Sequence, residues 1–185
     1  VMSRPIDWSR LAMAYGGAQK NLGPAGVGFV IIRKDLLERS TDSLPSYLSY
    51  AVHEEKDCLY NTPPVFGIYM IKLTLDWVKE VGGIKEMENR AIKRSSTVYK
   101  AIDESGGWYR CPMDVSSRSR MNVCFRLPTE ELEKKFISEA KAAEMDGLKG
   151  HRSVGGCRAS MYNAMPIEGA ERLASFMADF KKANS

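Results

Sequence analysis

The stretch AYGGAQKNLGPAG, residues 14–26, sets one lysine, Lys20, between two amides, Gln19 and Asn21, with glycines on both sides and a proline just after. A primary amine becomes a nucleophile when its ammonium loses a proton, which low dielectric and nearby positive charge both encourage. Gly16, Gly17 and Gly23 let the backbone come close to a flat ligand. Gln19 and Asn21 can hold polar groups of that ligand without competing for the proton. The pattern suits a lysine that forms a Schiff base with a carbonyl group, and it equally suits a solvated lysine in a surface turn between two strands. A second group of candidates lies far downstream in GHRSVGGCR, residues 150–158. There Gly150, Gly155 and Gly156 favour a loop folded closely around an anion. Taken alone, His151 is an ordinary loop histidine, and Arg152 and Arg158 are surface charge.

Both groups need elements to hold them. RLAMAY (10–15) reads as a short strand and GVGFVIIRKDLL (26–37) as a second, joined by the glycine-rich turn that carries Lys20. The run Val27–Ile32 is nearly all apolar, as in a strand covered on both faces. Residues 40–64 are polar, hold three prolines and lack sustained periodicity. A loop this long inside a domain is usually functional or an arm onto a partner. Next, VFGIYMIKLTLDWVKEVGG (65–83) puts Phe66, Tyr69, Met70, Leu73, Trp77 and Val78 on or near one helical face, with Gly82 and Gly83 as the stop. Residues 84–105 read as a second helix, ended by Gly106 and Gly107. MNVCFRL (121–127) alternates like a half-buried strand, and residues 129–145 read as a helix started by Thr129, with Glu130 and Glu131 suiting its dipole. GLKGHR and CRASMYN look like a strand pair, and residues 166–183 close the chain as an amphipathic helix with Pro166 at its start. The expected organisation is the end of a larger domain over residues 1–62, a connecting helix over 63–83 and a small α+β domain over 84–185.

Composition narrows the function classes. The 185 residues are 44% hydrophobic and 27% charged, within the ordinary range for a globular protein. No apolar run approaches the roughly 18 residues of a membrane span, and the opening VMSRPIDWSR has a proline and charges where a signal peptide has its apolar core. A cytoplasmic protein with no membrane partner is expected. The net charge of +4 is mild and its lysines and arginines are spread out, which suits a solvated surface rather than a nucleic-acid footprint. Cys58, Cys111, Cys124 and Cys157 form no CxxC pair, and neither His53 nor His151 stands in metal-ligand spacing with them. Free thiols and no metal are expected. Residue 1 is not Met, so the chain reads as a piece of a longer one.

The segment YGGAQKNLGPAGVGFVIIRKDLL resembles the lysine segment of the phosphoserine aminotransferase family, pyridoxal-phosphate enzymes of the aspartate-aminotransferase fold, class V. SRPID (3–7), LYNTPPVFGIYM (59–70) and LKGHRSVGGCRASMYNA (148–164) agree in the same order, so the likeness runs across essentially all 185 residues. The resemblance implies an α/β fold, the C-terminal part of a fold type I transferase: the end of the large-domain sheet, a connecting helix and a small C-terminal domain. Lys20 would tether pyridoxal 5'-phosphate and, once freed, move a proton between the substrate's α-carbon and the cofactor. Gln19 would touch the cofactor. Asn61 and Thr62 would reach across a homodimer to the cofactor phosphate of the other subunit, although YNTPP also reads as a plain helix start, and both can hold together. Arg158 would grip the substrate α-carboxylate in the bidentate manner of guanidinium, while His151 and Arg152 would hold the substrate phosphate for the neighbouring subunit. The implied reaction moves the amino group of L-glutamate to 3-phosphohydroxypyruvate, in serine biosynthesis. Bacterial members also take a related four-carbon substrate in pyridoxine biosynthesis. In the family the carboxylate for the pyridinium nitrogen, the stacking aromatic and the phosphate cup lie upstream of the lysine segment, and Asp7 is not that carboxylate. The resemblance therefore implies half of an aminotransferase, inactive alone. The alternative is a non-catalytic folded C-terminal domain whose strands leave sheet edges open.

Overall fold

Apolar β-branched residues beside a glycine-rich turn make an antiparallel pair: β1 (Met13–Gly17) against β2 (Gly28–Ile32), in register from Met13–Ile32 to Gly17–Gly28. The structure, a computed structural model, describes residues 2–41 and 43–185. It divides into two compact units, Val1–Lys85 and Glu86–Ser185.

In the first unit β2 follows the apolar run and is shorter than the strand expected over 26–37. It stops at Ile32, where Arg33 pairs with Asp35 at 2.6 Å and a 3-10 helix takes over at Lys34–Arg39. Charged side chains favour that solvated turn over a longer strand. Residues 40–64 are also more structured than their composition suggests. Ser49 accepts a hydrogen bond from the Val52 amide and starts a helix, α1 (Tyr50–Glu55). Six residues are too few to show a helical period, and Asp57 and Cys58, both at positive φ, turn the chain away after it. The next helix, α2 (Val65–Glu80), matches the expected span. Its apolar residues are not a packed face, though: Val78 is buried, whereas Phe66, Tyr69 and Leu73 are exposed.

The second unit holds the core. Its first helix, α3 (Gly83–Asp103), begins three residues before the boundary and buries Met87, Ala91, Arg94, Val98 and Ile102, the three-to-four spacing of one helical face. Strand β3 (Asn122–Phe125) pairs antiparallel with β4 (Cys157–Ser160), Cys124 opposite Arg158. GLKGHR pairs with CRASMYN as expected, but only briefly. It contributes a single bridge, Lys149 to Cys157, which follows Gly147 at positive φ. Helix α4 (Glu130–Ala142) begins at Thr129, whose Oγ1 accepts from the Leu132 amide at 3.3 Å. The last helix, α5 (Ile167–Asn184), follows Pro166. Val123, Phe125, Phe136, Ala159, Met177 and Phe180 meet in the core, where Phe136 packs edge-on against Phe125, Phe176 and Phe180 at 5.1–5.6 Å.

Candidate functional site

The first unit presents Lys20 on the turn between β1 and β2. Ala18 is fully buried and ties the turn down: its amide donates to the Val27 carbonyl, and its own carbonyl accepts from both Leu22 and Gly23. With Ala18 fixed, Gln19 and Lys20 are left exposed. The Gln19 amide folds back over Gly17, where any side chain at 17 would strike it. Helix α2 supports the turn from the other side. Gly23 sits against Ile71, and Val27 comes so near Gly67 that a Cβ there would lie 2.5 Å from Val27 Cγ2. Gly67 is therefore what allows the helix to approach. Sequence reasoning did not single out Ala18 or Gly67, since neither carries chemistry of its own.

Asn61 and Thr62 are exposed just ahead of α2, and Asn61 Nδ2 donates to the Thr62 carbonyl at 3.1 Å. The helix begins at Val65 after Pro64 with no side-chain cap, so neither residue is used as its start. Nearby, His53 Nε2 lies 2.9 Å from the Tyr47 carbonyl and its ring stands edge-on between Tyr47 and Tyr60.

The second unit brings His151, Arg152 and Arg158 onto one loop and strand. The loop is pinched at its neck, where the Gly150 amide donates to the Gly156 carbonyl and the Arg158 amide to the Leu148 carbonyl, both at 2.8 Å. A Cβ at 150 would run into Gly155. Within the loop, the Val154 and Gly155 amides both donate to the His151 carbonyl, and the Ser153 amide donates to His151 Nδ1 at 3.3 Å. That contact makes Nδ1 an acceptor and leaves the ring proton on Nε2. His151 and Arg152 are exposed. Arg158 is half-buried on the polar face of the β3–β4 pair, which also carries Asn122, Cys124 and Ser160. Its Nε is buried without a hydrogen-bond partner. A guanidinium so placed is suited to a carboxylate ligand. Burial pushes the Cys124 thiol up, against the opposing pull of Arg158.

Two residues that spacing did not reveal hold the loop. Arg126 Nη2 donates to the Val154 carbonyl at 2.5 Å, and its Nη1 donates to both carboxylate oxygens of Glu133 at 3.1 and 3.3 Å. Among the described residues no group of acids, thiols or histidines could hold a metal ion, and no helix is long and apolar enough to cross a membrane.

The Lys20 turn fits a carbonyl-bearing cofactor. It offers an exposed primary amine on a backbone fixed at Ala18, with an amide side chain beside it and glycine on the approach.

Comparison with known proteins gives consistent likenesses. The family pattern Aminotransferase class-V matches residues 1–173. A phosphoserine aminotransferase of Geobacillus kaustophilus is 56% identical over 182 residues, 98% of this chain and 51% of that protein. The solved phosphoserine aminotransferase from Bacillus circulans subsp. alkalophilus superposes with a TM-score of 0.97 at 50% identity, covering 100% of this chain and 51% of the other. The pyridoxal-phosphate-bound phosphoserine aminotransferase from Trichomonas vaginalis superposes with a TM-score of 0.89 at 38% identity, covering 95% and 50%. These solved chains carry the α/β fold that the sequence suggested. The chain spans about half the length of the curated relatives it matches.

Proposed function

The chain belongs to the class-V aminotransferase family, and from that premise we propose that it serves the pyridoxal-phosphate-dependent transfer of an amino group from L-glutamate to 3-phosphohydroxypyruvate, giving O-phospho-L-serine and 2-oxoglutarate. The observation that carries this reading is the 56% identity, over 98% of the chain, with a protein named phosphoserine aminotransferase.

When bound, pyridoxal phosphate supplies an aldehyde to react with amines and a ring that draws off electron density from the substrate's α-carbon. The chain's own residues have distinct tasks. Lys20 Nζ would hold the aldehyde and, when free, would take and return the proton at the substrate's α-carbon. Gln19, fixed beside it over Gly17, orients the group. Arg158 binds the α-carboxylate that glutamate and phosphoserine share, through two parallel N–H···O bonds. The exposed loop of His151 and Arg152 receives the phosphate that only the three-carbon substrate carries. Asn61 and Thr62, unused by α2, would hold the cofactor phosphate of a second copy of the protein, in a homodimer in the cytoplasm. A role in pyridoxine biosynthesis follows if the same loop admits a longer phosphorylated keto acid.

Borohydride reduction tests the reading directly. In the whole protein supplied with pyridoxal phosphate, borohydride should fix one cofactor to Lys20, read by peptide mass. Lys20→Ala should abolish both the label and amino transfer. Labelling elsewhere, with activity retained by Lys20→Ala, would sink the reading.

A second reading, a folded domain without catalysis, is favoured for the isolated chain by the exposure of Met13, Tyr15, Val30 and Ile31 on β1 and β2. Visible absorbance of the isolated chain with added cofactor separates the two.

A further inference from the structure

The loop of His151 and Arg152 is exposed from His151 through Gly155, and an exposed loop by itself loses entropy when it closes on an anion. Its neck is not left to the loop's own bonds. Arg126 stands at the end of β3, where it exchanges both backbone hydrogen bonds with Arg110 at 2.8 and 3.0 Å. Its guanidinium lies against Gly155, where a Cβ would be 3.2–3.3 Å from the two terminal nitrogens, and its Cδ would be 2.7 Å from a Cβ on Gly156. Both glycines have positive φ, 74° and 68°. Nη2 holds the Val154 carbonyl, the last residue before them. Nη1 is in turn held by Glu133, whose side chain is only 10% exposed and also accepts from the Leu127 amide at 3.4 Å. Glu133 belongs to α4, fixed in the core through Phe136. A continuous set of contacts thus runs from the core, through a nearly buried carboxylate and one guanidinium, to the carbonyl that closes the loop.

We propose that Arg126 and Glu133 are positioning residues for phosphate recognition: Arg126, clamped by Glu133, holds the Val154 carbonyl and covers Gly155 and Gly156, so that the loop presents His151 and Arg152 already in their anion-binding shape. The bonds that Arg126 makes go to Glu133 and Val154, so its part here is to hold the loop. The inference rests on the phosphate-loop reading above and adds to it where the loop gets its shape. Removing the fork leaves the ligands in place but makes the anion bear the cost of ordering them.

The test uses the whole protein with Arg126→Gln, Arg126→Lys, Glu133→Gln and, as reference, Arg152→Ala. Each is assayed for kcat, for KM toward the phosphorylated substrate and toward L-glutamate, and for competitive inhibition by inorganic phosphate. Arg126→Gln should raise the KM for the phosphorylated substrate and the phosphate inhibition constant about tenfold, the size of one lost charge-assisted hydrogen bond. The glutamate KM and kcat should stay within about twofold of the parent, inside the error of such comparisons. Glu133→Gln, which keeps an acceptor for Leu127, should show a smaller change of the same kind. Arg126→Lys should recover part of the loss, because an ammonium can reach one of the two partners but not both. If Arg152→Ala is selective for phosphate and Arg126→Gln is not, the positioning role is overturned and the loop reading stands. If Arg152→Ala is itself unselective, both are overturned. Equal losses for glutamate and phosphate in Arg126→Gln, with a lower melting temperature, would also overturn the proposal by showing a purely structural role.

Discussion

Lys20 and Arg158 place opposite demands on their surroundings. In the proposed reaction the amine would be reached by a ligand, and the turn keeps it exposed by burying Ala18 instead. In that reaction the guanidinium would hold a carboxylate against water, and it is half-buried with Nε shut away from solvent. Arg158→Lys in the whole protein should weaken glutamate and phosphoserine alike, by about tenfold or more, because an ammonium cannot make the paired bonds. Steady-state kinetics with both substrates checks this, and a loss confined to phosphoserine would count against the assignment. Arg152→Ala should do the reverse, sparing glutamate. The thiols differ as sharply. Cys157 is 1% exposed and burial pushes it up to about 12, so iodoacetamide at pH 8 should leave it unmodified in the native protein. Quantitative peptide mapping reads this, with labelling expected only after unfolding.

At the scale of elements, local signals were legible and distant ones were not. The Lys20 turn announced itself because glycine, proline and amides lie within a few residues of one another. Thr129 starting α4 and Pro166 starting α5 could be read for the same reason. The bridge from GLKGHR to β4 was legible and the longer pairing of β4 with β3 was not, because the latter joins residues more than thirty apart while GLKGHR stands next door. Arg126 and Glu133 were invisible for the same cause: their link to Val154 joins a strand end, a helix and a loop. The likeness of the chain to class-V aminotransferases was legible from four motifs in order, and the family match over residues 1–173 bears it out. Two substitutions weigh the elements energetically. Phe136→Ala removes a fully buried ring that meets four others and should cost about 3–5 kcal/mol in chemical denaturation of the chain. Gly67→Val drives bulk into Val27 and should cost about 1–3 kcal/mol while disturbing the Lys20 turn. If Gly67→Val leaves both stability and cofactor labelling untouched, α2 does not support the turn as described.

For the molecule as a whole, apolar burial is uneven. Within the second unit Phe125, Phe136, Met177 and Phe180 are almost wholly covered, whereas the first exposes Tyr15 at 77%, Phe66 at 73% and Val65 at 65%. Exposed apolar surface beside open strand edges favours association. The isolated chain should therefore elute as more than a monomer in size-exclusion chromatography with light scattering, and mild denaturant should disperse it before the second unit unfolds. Acid acts elsewhere. Asp103 accepts from both terminal nitrogens of Arg118 at 2.6 and 2.7 Å, which holds its carboxyl below the ordinary 3.8. The folded protein thus binds this proton less readily than the unfolded chain. The pair's contribution is whole above the ordinary value and fades as pH falls through the depressed one. Melting curves of the parent and Asp103→Asn should differ at pH 6, and the difference should shrink as the pH falls below the ordinary 3.8.

Of the four cysteines only Cys58 is exposed, at a positive φ three residues before Asn61. A maleimide dye added at neutral pH would therefore decorate that position first, with no engineering of the protein. Its emission would then give a continuous optical signal of whatever approaches the segment ahead of α2.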